Sequence, residues 1–153
     1  MEISRLTKAS LEDAFLFGSI AKKAKAHWGY PAEWLALWED DLSFTKDFLS
    51  MHFVLVLKLA DQIRGFCIII EEPDHFNIEH CWVLPEHLGK GHGSQLLRRA
   101  LSEPYFANQK IQVLSDPNAV GFYEKFGFKT TQMIPSKPIG RELPLMQMIN
   151  IGR

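Results

Sequence analysis

The chain has 153 residues, 46% of them hydrophobic and 23% charged, which is long enough to bury one sizeable core and too apolar for a disordered segment. Seventeen Lys and Arg against eighteen Asp and Glu leave a net charge of -1, and binding a polyanion needs a basic excess, so a nucleic-acid partner is not expected. No apolar run nears the ~20 residues of a membrane span, and Met1 to Arg5 lacks the apolar core of a signal peptide. Cys67 and Cys81 lie in apolar stretches without metal-ligand spacing, so they read as two buried free thiols in a reducing compartment and no metal is expected. Together these features predict one cytoplasmic, soluble domain over residues 1–153, a monomer or homodimer with no membrane contact.

Ile3 to Leu6 reads as a first strand. Ser10, with acidic Asp13 three positions on, marks a helix start, and Leu11, Ala14, Phe15, Gly18 and Ala21 follow at helical spacing as its buried face. Lys22, Lys23 and Lys25 near its end suit a solvated C-terminal turn, or alternatively a phosphate contact. Pro31 opens a second short helix carrying Trp34 and Trp38, and a third helical piece spans Thr45 to Ser50. The period then changes to that of strands. Phe53 to Leu59 and Ile63 to Ile70 flank Ala60-Asp61-Gln62 as a hairpin, and Phe76 to Leu84 follows until Pro85 stops it. Helix returns near Gly91 and is limited by Pro104, with Leu96, Leu97, Ala100 and Leu101 on one face. Lys110 to Leu114 is a strand, Asp116-Pro117 fits N-cap and first position of a helix ended by Gly127, and Phe128 to Ile134 and Leu143 to Ile149 are the last strands. The order β-α-α-β-β-β-α-β-α-β-β predicts an α/β fold: a mixed sheet of six to seven strands with about four helices covering both faces.

Two segments concentrate chemistry. In Leu88-Gly89-Lys90-Gly91-His92-Gly93-Ser94 a glycine-rich loop opens into a helix. Glycines let backbone N–H groups approach a ligand, and the first helical turn offers unpaired donors to a phosphate or pyrophosphate. The triphosphatase loop GxxxxGK[ST] is absent, and residue 96 is not the third glycine of a dinucleotide loop. The second segment is Asp116-Pro117-Asn118-Ala119-Val120-Gly121-Phe122-Tyr123-Glu124-Lys125-Phe126-Gly127-Phe128.

In order and spacing these two segments resemble the signature motifs of the GNAT superfamily of acetyl-CoA-dependent N-acetyltransferases. Gly91 and Gly93 match its Gln/Arg-x-x-Gly-x-Gly/Ala loop, Leu88 departs from it at the first position, and Ala119 to Phe128 matches its Ala-x-x-Phe-Tyr-x-x-x-Gly-Phe run. The resemblance implies a sheet splayed between its fourth and fifth strands and acetyl-CoA as cosubstrate. Its pyrophosphate would rest on Leu88, Gly89, Lys90, Gly91, His92, Gly93 and Ser94, with Lys90 and Ser94 adding side-chain donors. Main-chain groups of Trp82, Val83 and Leu84 would pair with the pantetheine arm, Val83 N–H serving as oxyanion donor, while Phe122 and Tyr123 lie beside that arm. Asn118 is either a turn residue or a further coenzyme contact.

By the same resemblance, Tyr123 is the acid for the departing thiolate and Glu79 the base for the attacking ammonium. Tyr123 is also a core aromatic by its position, and Glu79 also suits an exposed strand carboxylate. His80 falls on the opposite face of a regular strand and becomes the better base if a bulge reverses the alternation. His27, Trp28, Tyr30 and Trp34 either wall an amine-binding site, by packing and cation–π contact, or fix the helical hairpin as core. Arg141 and Glu142 face the acceptor or solvate a turn. The expected reaction is acetyl transfer from acetyl-CoA to a primary amine of a small molecule or peptide, by direct attack in a ternary complex. A non-catalytic CoA-binding module and an acyltransferase with another donor are the competing readings.

Overall fold

In the computed structural model, which describes residues 1–151, the alternation along one strand sets the architecture. In β2 (Phe53–Leu59) Phe53, Leu55 and Leu57 join one hydrophobic layer, and Val54 and Val56 join another on the opposite side. The remaining strands are β1 (Glu2–Arg5), β3 (Gln62–Glu71), β4 (Phe76–Val83), β5 (Lys110–Leu114), β6 (Lys129–Pro135) and β7 (Glu142–Ile149). They form one sheet of order β1-β2-β3-β4-β5-β7-β6, antiparallel throughout except where β4 meets β5.

Helices α1 (Leu11–Ala26), α2 (Ala32–Leu37) and α3 (Lys46–Met51) go with the Val54 layer, and α4 (His92–Leu101) and α5 (Val120–Glu124) go with the Leu55 layer. The mixed sheet covered on both faces is as expected, with seven strands and five α-helices among the described residues. No helix among those residues is long and apolar enough to cross a membrane.

Ser10 caps α1 in a capping box with Asp13, but the buried face of the helix is rotated from the expected one. Ala14, Phe17, Gly18, Ile20, Ala21 and Ala24 are buried, whereas Leu11 and Phe15 are exposed. Phe17 stacks on Phe66 of β3 at 4.2 Å, and that contact sets which stripe faces the sheet. Asp116 caps a 3-10 turn over Pro117–Ala119, and α5 starts only at Val120.

Two features of β4 position the site. Ile68 of β3 pairs with His80 while its neighbour Ile69 pairs with Ile78, so Glu79 is an extra residue, a β-bulge. The bulge reverses the alternation: Ile78, Cys81 and Val83 face the α4–α5 layer, and His80, Trp82 and Leu84 the α1–α3 side. In addition, β4 pairs with β5 only over Phe76, Asn77 and Ile78. Beyond the bulge the two strands part, and the sheet is splayed between its fourth and fifth strands, as the family resemblance implied.

Candidate active site

The hydrogen-bond phase of β4 decides what the splay can offer. Leu84 N–H donates to Arg64 O at 2.9 Å, which makes Val83 and Gly65 a non-hydrogen-bonded pair. Two residues back, Cys81 opposite Cys67 has the same phase. The backbone N–H and C=O of Val83 and Cys81 therefore point away from β3 into the gap, whereas those of Trp82 are committed to Phe66. The Val83 N–H is thus free to donate into the gap. Trp82 and Leu84 have no free main-chain N–H to offer there, and Cys81, which the sequence did not single out, presents the second free N–H and C=O.

A cavity of about 260 Å³ fills the gap, lined by Val83, Leu88, Gly93, Phe122 and Tyr123 on one side and by Ala24 and Trp28 on the other. Tyr123 is 6% exposed, and burial pushes its hydroxyl well above the ordinary 10. That hydroxyl has no hydrogen-bond partner among the described residues, yet the one fully enclosed unpartnered side-chain polar atom there is His92 Nδ1. The Tyr123 hydroxyl thus opens onto the cavity. Cys81 borders the same space and is partly exposed, so the expectation of two buried thiols holds only for Cys67.

The glycine loop has an open backbone. Gly89 and Gly91 have φ of +77° and +80°, and Gly91 is the left-handed N-cap of α4. The first backbone bond of the helix runs from Gln95 N–H to Gly91 O, so the N–H groups of His92, Gly93 and Ser94 precede the ladder. A Cβ at Gly89 or Gly91 would meet nothing within 4 Å, and one at Gly93 would sit 3.5 Å from Phe122. Lys90 is exposed and Ser94 half-buried on this loop. Open loop glycines, unpaired N–H groups and an apolar cavity alongside fit a pyrophosphate with a pantetheine arm.

A second cavity, of about 700 Å³, adjoins the first and shares Ile78, Glu79, His80 and Trp82 with it. Glu79 is exposed and its Oε2 accepts from Asn77 Nδ2 at 2.7 Å. The bulge also brings His80 to this junction, but its chemistry is wrong for a base. Trp82 Nε1 donates to His80 Nδ1 at 2.9 Å, and an indole N–H only donates, so the ring proton sits on Nε2. Burial lowers the imidazole to about 4. His80 is a neutral, structural ring at neutral pH, and Glu79 is the carboxylate left at the junction.

The aromatic segment ahead of the sheet divides. His27 and Trp34 border neither cavity, Trp28 borders the smaller one near Leu88, and the Tyr30 hydroxyl is taken up in a charged cluster. Asp116 is the hub of that cluster. It accepts from Lys25 Nζ and from Tyr30 Oη at 2.9 Å, and it lies 3.6 Å from Arg141 Nη2. Asn118 Nδ2 donates to Tyr30 Oη at 3.1 Å and to Asp116 Oδ1 at 3.0 Å, so this side chain is committed to the cluster, even though Asn118 borders the smaller cavity. Lys25 and Arg141 lie over the Trp38 ring, each 4.6 Å from its centroid.

Lys25 is therefore buried, not part of a solvated face. Burial lowers it from its ordinary value against the pull of Asp116, which it shares with a second cation. Burial alone would raise Asp116, but the Lys25 hydrogen bond and the Asn118 N–H hold it below the usual carboxylate value. The members come from α1, the α1–α2 loop and the approaches to α5 and β7, and such distances in sequence hide the cluster. Only the capping position of Asp116 and the paired charges at Arg141 hinted at it.

Comparison with known proteins agrees with this geometry. A family model for the acetyltransferase (GNAT) domain matches residues 50–130, just over half of the chain, and the chain belongs to that family. It is an acyltransferase, with N-acetyltransferase activity as its class. It is 28% identical over 137 residues to the peptidyl-lysine N-acetyltransferase YjaB of Escherichia coli K12, covering 78% of this chain and 90% of that protein.

Two solved structures share the fold at low identity. The PaiA N-acetyltransferase of Thermoplasma acidophilum, in complex with coenzyme A, superposes with a TM-score of 0.73 at 20% identity, covering 97% of this chain and 99% of that one. A GCN5-related N-acetyltransferase from Rhodopseudomonas palustris gives 0.72 at 22% identity, over 96% and 92% of the two chains.

Proposed function

We propose that the chain moves an acetyl group from acetyl-CoA to a primary amine of a small molecule or peptide, by direct attack within a ternary complex. The observation that carries this reading is the splay itself. It joins an apolar cavity beside a glycine loop to a larger one walled in part by charged groups, and Glu79 stands where they meet. The thioester, when bound, supplies the activated acetyl carbon. The loop N–H groups of His92, Gly93 and Ser94 hold the pyrophosphate, and the free main-chain groups of Cys81 and Val83 pair with the pantetheine arm as an added strand would.

Glu79 accepts the proton of the ammonium entering from the larger cavity, which frees the lone pair for attack. Val83 N–H donates to the carbonyl oxygen as negative charge gathers on it. As the C–N bond forms and the C–S bond breaks, Tyr123 Oη donates to the departing sulfur. Because burial raises that hydroxyl, it acts as a hydrogen-bond donor first and passes its proton only as charge develops on sulfur. The second proton of the attacking nitrogen, released as the amide forms, restores the hydroxyl, so that a neutral amide and the free thiol leave. The YjaB relative is a peptidyl-lysine N-acetyltransferase, which supports an amine as acceptor. The two thiols facing each other across β3 and β4 without a bond suit the reducing cytoplasm.

The test is thiol release from acetyl-CoA over a panel of amines, with the wild type and Glu79→Gln. Loss of the base should lower kcat about 10²-fold or more near neutral pH, while binding of coenzyme A by calorimetry stays intact. A Glu79→Gln rate equal to wild type removes Glu79 from the mechanism. Coenzyme binding with no amine turned over leaves a binding module in place of an enzyme.

A further inference from the structure

The charged cluster on the acceptor side is not balanced. Lys25 and Arg141 have side chains only 10% and 9% exposed, and among the described residues the one carboxylate in contact with both is Asp116. Two buried cations on one anion leave an excess positive charge in a place where solvent compensates poorly, and buried charge is costly unless paired. Among the described residues the other acidic groups of the cavity make no ion pair with either cation. Asp41 pairs with Lys137 at 3.1 Å, and Glu72 and Glu79 border the cavity from β4 and the turn before it.

The guanidinium is also under-used. Of its N–H donors, Arg141 spends Nη2 on Tyr30 Oη at 3.1 Å, and the rest have no hydrogen-bond partner among the described residues. They are not sealed in, since His92 Nδ1 is the one enclosed unpartnered side-chain atom there, so they face the cavity that Arg141 and Lys25 line. The rings of Trp38 and Tyr30 lie under both cations and hold them in place. A fixed planar fork with free donors matches a carboxylate.

We infer that the acceptor is a primary amine that also carries a carboxylate, held by Arg141 and Lys25 at one end of the larger cavity with its amine toward Glu79 at the other. The inference rests on the acetyl-transfer reading for the identity of the amine, but the anion site stands on the cluster alone. It assigns specificity to Arg141: neutral amines lack the group that completes the ion cluster, and polyamines bring further positive charge to it.

The experiment measures binding by calorimetry, in the presence of coenzyme A, of matched amines offered as carboxylate and as carboxamide. The pairs are glycine, β-alanine, γ-aminobutyrate, ε-aminocaproate and Nα-acetyl-lysine, each against its amide. In the wild type at least one carboxylate should bind on the order of tenfold more tightly than its amide. In Arg141→Gln that pair should bind alike, and Arg141→Lys should recover part of the preference. Lys25→Met gives an independent removal of charge should Arg141→Gln fail to fold, with the same expected loss.

Every amide binding as well as its carboxylate, or a preference that survives both Arg141→Gln and Lys25→Met, overturns the inference. Thiol release on the same panel separates it from the chemistry. Carboxylate-selective binding without turnover would leave the anion site standing and sink acetyl transfer. Turnover indifferent to the carboxylate would do the reverse.

Discussion

At the scale of single residues, burial sets what each titratable group can do. Tyr123 lies against Phe122 and Phe128 with ring centroids 5.1 and 5.5 Å away, and desolvation holds its hydroxyl protonated at any working pH. Tyr123→Phe keeps the packing and removes the donor. It should lower kcat about 10²-fold with acetyl-CoA affinity little changed, and an unchanged kcat would exclude the hydroxyl from the reaction.

His80 shows the opposite case. Its imidazole is lowered to about 4, against an ordinary 6.5, so the unfolded chain binds this proton more readily than the fold does. The stability it allows is complete above the unfolded value and is lost as pH falls from about 6.5 toward 4, by roughly 3 kcal/mol in all. His80→Gln keeps an acceptor for Trp82 Nε1 and cannot be charged. Denaturant unfolding should therefore show a smaller loss of stability between neutral and acid pH in His80→Gln. Equal losses in both proteins would mean that the ring is not held neutral.

At the scale of elements, legibility depended on whether a local residue pattern carried the feature. The β2–β3 hairpin was plain from its β-branched runs, the start of α1 from Ser10 and Asp13, and the cradle from Gly91, whose φ of +80° only glycine adopts freely. Gly91→Val should weaken coenzyme A binding measurably by calorimetry and destabilise the fold by about 1–2 kcal/mol, the strain of a side chain in the left-handed region. Since a Cβ there meets nothing within 4 Å, retained affinity and stability together would show that the loop tolerates another shape.

The bulge at Glu79 left no such trace. No residue type marks it, and it exists because β3 and β4 fall out of register between Ile68 and Ile69. Without that register no reading of β4 could say that both Glu79 and His80 reach the junction, or that Cys81 and not Trp82 offers its backbone to the gap. The buried face of α1 was misread for a similar reason. Leu11 and Phe15 obey helical spacing as well as Phe17 does, and only the Phe66 ring across the interface selects between them.

At the scale of the whole molecule, the function follows from one sheet dressed differently on its two sides. The proposed coenzyme site draws mainly on two local motifs, which is why that half was readable. The charged cluster gathers Lys25, Tyr30, Asp116 and Arg141 from four separate places, so the proposed acceptor half emerged only with the fold. The splay is where the halves meet, and the account requires both substrates to be present there together.

Cys81, which borders the smaller cavity, offers a different course, in which the acetyl group would rest on the protein between two half-reactions. Initial rates over crossed concentrations of acetyl-CoA and an accepted amine decide the matter directly. Direct attack predicts double-reciprocal lines that intersect, with Cys81→Ala still active. Parallel lines, together with an acetylated protein trapped in the absence of amine, would contradict the account.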